Sequence, residues 1–244
     1  MLSKTVLITG ASRGIGAAIA KRFAREGYQL VLNCANSKKD LELLSEELRS
    51  QYHSQVLCCI GDISDYTFVE SMFFSIKKAF GKVDVLINNA GISYIGLLTD
   101  MNIKDWNKIV STNLTSVFSC CKFAVPMMLS QKSGKIINIS SVWGITGASC
   151  EVAYSATKGG MNAFTKGLAK ELAPSNIQVN AIACGVIDTQ MNACFDAQEK
   201  ESLKEEIPSG RFGTPAEVAE TAFQLSSFVN YLTGQIITLD GGYI

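Results

Sequence analysis

The chain has 244 residues, which suits one α/β domain able to bury a large core. Apolar residues make up 47% and charged residues 18%, an ordinary globular composition. The 22 basic and 22 acidic residues cancel, which argues against nucleic acid as the main partner, and no apolar run approaches the roughly 18–20 residues of a membrane span.

The chain opens directly into KTVLITG, without the basic stretch, long apolar segment and cleavage site of an export signal, so none is expected. From there short apolar runs alternate with stretches of helical period. The runs at 4–9, 29–33, 55–60, 83–87, 135–139, 177–183 and 235–239 predict strands. The stretches at 14–27, 38–52, 66–80, 104–131, 154–173 and 215–228 predict helices. In the second of these, Leu41, Leu44 and Leu48 fall on one side. Unbroken alternation predicts one Rossmann-type domain over residues 1–244, with a doubly wound, seven-stranded parallel sheet flanked by helices. An eight-stranded barrel fits less well, because the glycine-rich turn described next lies in the first strand–helix connection.

That turn reads LITGASRGIG. Gly10, Gly14 and Gly16 follow the first strand and open the first helix in the pattern G-x-x-x-G-x-G. Glycines there permit a tight turn and let the backbone approach a pyrophosphate at the helix N-terminus. Many NAD sites place an acid at the end of the second strand, against the ribose 2′-hydroxyl. Here Asn33 stands in that place, Arg13 lies in the glycine loop, and Ser37 and Lys38 follow. A neutral pocket with nearby cations predicts NADPH over NADH.

Eight cysteines occur without a C-x-x-C pair, and the one histidine, His53, sits in the polar stretch RSQYHSQ. Neither supports a metal site; buried free thiols in a reducing cytosol and a surface histidine are expected. Further on, EVAYSATKGG sets Tyr154 and Lys158 one helical step apart on the same face. Read alone, the pair fits an amphipathic surface helix as well as a phenol poised to lose its proton.

Together TGASRGIG at 9–16, NNAG at 88–91, Ser141, and YSATK at 154–158 resemble the short-chain dehydrogenase/reductase family over the whole chain. The stretches IPSGRFGTPAEVA at 207–219 and LTGQIITLDGG at 232–242 are most similar to its bacterial 3-oxoacyl-[acyl-carrier-protein] reductase group. The resemblance implies cytoplasmic, NADPH-dependent reduction of a 3-oxoacyl thioester, on acyl carrier protein or CoA, in fatty acid biosynthesis. It implies Tyr154 as general acid/base, Lys158 lowering its pKa, Ser141 on the substrate carbonyl, and Asn113 holding a relay water. The cofactor contacts it implies are Gly10, Ser12, Arg13, Gly14, Ile15, Gly16, Asn33, Asp62, Ile63, Asn89, Ala90, Gly91, Tyr154, Lys158, Ile187 and Thr189. It also implies a substrate lid near 190–207 and a homotetramer built through the helices 104–131 and 154–173 and the last strand. Small residues Ala156, Gly159, Gly160 and Ala163 would allow close approach there.

The chemistry is plausible in magnitude. A free phenol titrates at about pH 10, so exchange near neutrality needs a fall of roughly three units, about 4 kcal/mol. One cation at about 4 Å, in an effective dielectric of about 20, supplies about that much before burial opposes it.

Two departures from the family pattern bear on function. Cys184 replaces the proline usual before Gly185, which puts a thiol near the nicotinamide pocket and predicts inhibition by thiol reagents unless the side chain is merely small and apolar. Lys132 and Lys135 keep positive charge beside the mouth, whereas Ser175 and Asn176 do not, so an acidic carrier meets a weaker patch. Another ketone, such as a sugar, a steroid or a small diketone, therefore stays open. So does a scaffold that binds nucleotide without turnover, although the complete set Asn113, Ser141, Tyr154 and Lys158 argues against it.

Overall fold

The computed structural model describes residues 3–192, 196–227 and 230–244. The chain runs β1 (Thr5–Ile8), α1 (Gly14–Arg25), β2 (Gln29–Cys34), α2 (Lys38–Tyr52), β3 (Val56–Ile60), α3 (Tyr66–Ala79) and β4 (Val85–Asn88). It continues with α4 (Ile103–Val110), α5 (Ser116–Gln131), β5 (Gly134–Ser141), the short α6 (Trp143–Thr146), α7 (Val152–Leu172) and β6 (Ile177–Cys184). It ends with α8 (Ala197–Glu206), α9 (Pro215–Ser227) and β7 (Ile236–Leu239).

All seven strands pair in parallel in the order β3-β2-β1-β4-β5-β6-β7. The winding reverses between β1 and β4, and such a reversal opens a crevice at the carboxyl ends of the strands. Every residue of β1, β4 and β6 is buried, which is why these strands read as continuous apolar runs rather than alternating ones. Alternate residues serve opposite faces. Val6, Ile8, Leu30 and Leu32 pack with α1, α2 and α9, around Phe23, Leu41 and Phe223. Leu7, Val31 and Leu86 pack with α3, α5 and α7, around Ile76, Val117 and Met161.

Three features differ from the sequence reading. The helix expected over 104–131 is broken by one π turn at Ser111–Thr115, between α4 and α5. Trp143–Thr146 forms an unforeseen helical turn directly after β5. The segment expected to be a lid divides into a 3₁₀ turn at Gln190–Asn192 and the helix α8; residues 193–195, including Cys194, lie outside the described residues. His53 is exposed and closes α2 in the left-handed region, at φ 53°. The seven described cysteines are all free thiols.

Phe23 sits at 0% exposure, with its ring edge-on to Tyr28 at 4.9 Å and to Phe223 at 5.4 Å. Phe23→Ala opens a cavity where α1 and α9 meet and is expected to lower stability by about 3–5 kcal/mol, read as a shifted urea midpoint at unchanged slope.

Candidate active site

The site begins where β1 and β4 end. Thr9 Oγ1 accepts hydrogen bonds from the backbone N–H groups of Asn89 and Ala90, each at 3.0 Å. The Asn89 amide donates back to the carbonyls of Thr9 (2.9 Å) and Gly10 (3.0 Å). The glycine loop and the NNAG turn are thus clamped together, and Asn89 acts as the clamp. Gly10 adopts φ +63°, and a Cβ there would lie 2.9 Å from the Ala90 Cα. A Cβ on Gly16 would collide with the Gly10 carbonyl oxygen. Such contacts leave no room for side chains. They bring the N-terminus of α1, free of acidic residues in its first turn, to the floor of a cleft of about 1060 Å³. Gly10, Ser12, Arg13, Gly14 and Ile15 line it, while Gly16 serves the packing beneath. Thr189 stands opposite, 3.5 Å from where a Gly14 Cβ would be, and Ile187 is buried beside it. This cradle of backbone donors fits a dinucleotide pyrophosphate.

At the other side of the loop, Asn33 is buried, and its amide donates to the carbonyls of Cys59 (3.1 Å) and Gly61 (3.0 Å). The Asn33 amide therefore ties β2 to β3 rather than reaching for a phosphate. Lys38 does not line the cleft; it faces Glu42 at 3.8 Å on the helix surface. What remains around the cleft here is Arg13 and the turn Ala35–Asn36–Ser37, with no carboxylate before Asp62. One oxygen of Asp62 accepts from the Ser64 N–H (2.9 Å) and hydroxyl (2.8 Å), and Ile63 is buried next to it.

The opposite end of the cleft holds the phenol. Ser141 closes β5 and accepts a hydrogen bond from the Trp143 N–H at 3.2 Å. Tyr154 lies in the first turn of α7, with the Lys158 ammonium 5.5 Å from its ring centroid. Lys158 is buried and donates to the Ile139 carbonyl at 2.7 Å. Asn113, within the π turn, grips the Ile92 peptide from both sides at 2.9 Å and donates to Thr157 Oγ1 at 3.2 Å. A π turn widens the helix by one residue, and here it turns Asn113 inward at 0% exposure. A Cβ on Gly91 would sit 3.4 Å from Asn113 Oδ1 and 3.6 Å from Lys158 Nζ, so its absence keeps the space between them open.

Burial dominates the electrostatics. It raises the Tyr154 phenol well above its usual range, while the hydrogen-bonded Ser141 hydroxyl pulls the other way. It lowers Lys158 to about 8. Lowering of the phenol by a nearby cation, anticipated from Coulomb's law, does not outweigh burial here: the ammonium donates to the Ile139 carbonyl and lies 5.5 Å from the Tyr154 ring centroid. Cys184 is buried beside both groups, and its thiol is pushed up to about 12. A protonated, enclosed thiol is a poor nucleophile, which favours the passive, small apolar reading of Cys184 over attack by thiol reagents.

Sequence reading missed what fixes α7. Asn138 accepts from Asn88 and donates to Thr165, each at 2.8 Å. Ser140 donates to Asn162 at 2.7 Å, and Asn162 donates to the Gly144 carbonyl at 3.0 Å. The signal was present: polar residues at period two in β5, and Lys158, Asn162 and Thr165 at helical spacing in α7. The cleft is also lined by Ser93, whose hydroxyl donates to Glu151, and by Trp143.

Buried Lys158 has a protonation signature. The unfolded side chain keeps its proton to about pH 10.5, and the folded one releases it near 8. The charged form thus detracts from stability at low pH, and the penalty fades as pH rises between those values. The stability of Lys158→Met relative to wild type is expected to be greatest near neutrality and to fall by up to about 3 kcal/mol by pH 10.5. Paired urea melts at neutral and alkaline pH measure it, and a gap that widens with pH contradicts a buried cation.

Residues 4–200 match the family described as short chain dehydrogenase. The chain is 41% identical over 243 residues to the uncharacterized oxidoreductase YmfI of Bacillus subtilis, covering 99% of each. It is 41% identical to the 3-oxoacyl-[acyl-carrier-protein] reductase FabG of Staphylococcus aureus, covering 99% of this chain and 98% of that one. The crystal structure of YwfH, an NADPH-dependent reductase involved in bacilysin biosynthesis, superposes with a TM-score of 0.94 at 29% identity, covering 99% of this chain and 98% of that one. The glycine cradle, the parallel sheet and these full-length likenesses make this chain a member of the short-chain dehydrogenase/reductase family of oxidoreductases.

Proposed function

We propose that the protein is an NADPH-dependent reductase that converts a 3-oxoacyl thioester, on acyl carrier protein or CoA, to the 3-hydroxyacyl thioester in fatty acid biosynthesis. The observation that carries the reading is the convergence of Ser141, Tyr154 and Lys158 at one end of a cleft whose other end is a phosphate cradle. The full-length likeness to FabG supports the substrate, and the NADPH-dependent YwfH supports the cofactor. Arg13 and the carboxylate-free turn at Ala35–Ser37 suit a 2′-phosphate.

The nicotinamide, when bound, supplies the hydride. Tyr154, the general acid, donates its proton to the carbonyl oxygen, and a phenol held neutral by burial is in the right state to do so. Ser141 donates a hydrogen bond to the same oxygen as charge develops. Lys158 then faces the phenolate across the Tyr154 ring and offsets its charge. The Asn113 side chain, bonded to Ile92 and Thr157, holds that wall in place beside the relay water it is expected to support.

A second reading, reduction of an uncharged ketone, is favoured by the charge of the substrate half. Glu151, Asp196, Glu199 and Glu206 line it, and Lys158 is the one cation among the described residues that line it. Phosphate-bearing carriers meet an unfavourable field there.

Nothing among the described helices is long and apolar enough to cross a membrane, and the free thiols suit a reducing cytoplasm. A homotetramer is supported by exposed Ile103 and Phe118 on α4 and α5, and by the shallow hollow of Gly144, Ile145, Gly159 and Ala163. Light scattering at micromolar concentration is expected to give four times the 26.3 kDa chain mass; a monomer mass contradicts it.

The functional test follows reduced-nicotinamide absorbance with acetoacetyl-CoA, with NADPH and NADH in parallel. Turnover favouring NADPH by well over twofold is expected, and Tyr154→Phe should lose at least about a hundredfold in kcat with NADPH affinity unchanged. Turnover only on uncharged ketones selects the second reading, and tight NADPH binding without any turnover sinks both.

A further inference from the structure

Helix α8 forms one wall of the substrate half through Gln198, Ser202, Leu203 and Glu206. It is amphipathic only weakly and has no buried residue of its own, so its own packing does little to hold it. Its N-terminus is closed by a capping box between Asp196 and Glu199. Its C-terminal end is held by a different part of the chain, the segment after β7.

That segment is moulded onto residues 206–209. The Ser209 N–H donates to the Gly241 carbonyl at 3.1 Å. Gly241 and Gly242 both adopt positive φ, and a Cβ on Gly241 would collide with the Ser209 hydroxyl. Asp240 accepts from the N–H groups of Gly242 (3.0 Å) and Ile244 (2.9 Å), which curls the segment back. The curl delivers Tyr243 between two walls. Its hydroxyl donates to Glu206, the last residue of α8, at 3.1 Å. Its ring meets the Trp143 ring edge-on, with centroids 5.6 Å apart. Trp143 in turn donates its backbone N–H to Ser141. One side chain therefore joins the substrate wall to the turn that carries the carbonyl-facing serine.

We propose that Tyr243 is a positioning residue, which fixes the C-terminal end of α8 against Trp143 and so sets the width of the substrate half beside Ser141. The inference rests on the reading of Ser141 and Tyr154 as the carbonyl site. Tyr243 touches both sides of the gap between α8 and α6, through Glu206 on the one and Trp143 on the other. A held wall lowers KM by presenting a formed pocket and leaves proton donation by Tyr154 untouched.

The test uses the full chain with Tyr243→Phe, which keeps the ring and loses the hydroxyl, and Tyr243→Ala, which loses both. Hydrogen exchange of the 197–206 amides is measured without substrate. An edge-on aromatic pair and a hydrogen bond together predict about tenfold or faster exchange in Tyr243→Ala, with Tyr243→Phe in between. KM for the ketone should rise about tenfold in Tyr243→Ala while kcat and NADPH affinity stay within about threefold. Wild-type exchange in α8 for both variants overturns the proposal, as does a loss confined to kcat. If Tyr243→Ala does not fold, Tyr243→Phe decides by the same exchange reading. Should the wild type reduce no ketone, the functional reading fails while the exchange result still judges whether Tyr243 holds the wall.

Discussion

The fixed seating of α7 on β5 is the constraint on which the site depends. A helix lying on a parallel sheet by apolar contact alone can slide or roll by a fraction of a turn. Here a buried polar seam forbids it, because Asn138 meets Thr165, Ser140 meets Asn162, and Lys158 meets the Ile139 carbonyl. Each pair costs an unsatisfied buried group if the register shifts. Tyr154 rides on the same helix, one turn from Lys158, so the seam that places the ammonium also places the phenol relative to Ser141.

The same burial that fixes these groups sets their chemistry. Burial pulls Lys158 down toward neutrality and pushes the Tyr154 phenol further away from it. The phenol holds its proton until a partner arrives, which suits a donor in reduction. The thiol of Cys184, in register with Ser141 across β5 and β6, is held protonated by the same enclosure. The departure from proline there alters the lining of the cleft without adding a nucleophile.

Much of this was legible in the residues. Seven apolar runs marked seven strands, because a sheet covered on both faces has no polar side to interrupt the pattern. The three glycines marked the cradle, because only they tolerate the approach of Ala90 and the Gly10 carbonyl. Spacing put Tyr154 and Lys158 on one helix face, and the family resemblance marked them, with Ser141, as the reacting end of the site. The direction of a side chain was not legible. Asn33 occupies the anticipated position, but its amide turns into the sheet, a choice decided by the carbonyls of Cys59 and Gly61 that fold in beside it. Lys38 likewise turns to Glu42, four residues on. The helix α8 was hidden because it buries no side chain and so shows no strong apolar period. The role of Tyr243 was hidden because its partners, Trp143 and Glu206, are distant in the chain.

The π turn at Ser111–Thr115 carries a consequence for how this chain can change. A π turn holds one residue more than the regular ladder around it. Substitutions along α4 and α5 leave that count intact, but a single-residue deletion there does not. It would let the two helices fuse into one regular rod and remove the wide turn that holds Asn113 against the Ile92 peptide. Descendants of this sequence can therefore drift in composition through this stretch far more freely than in length.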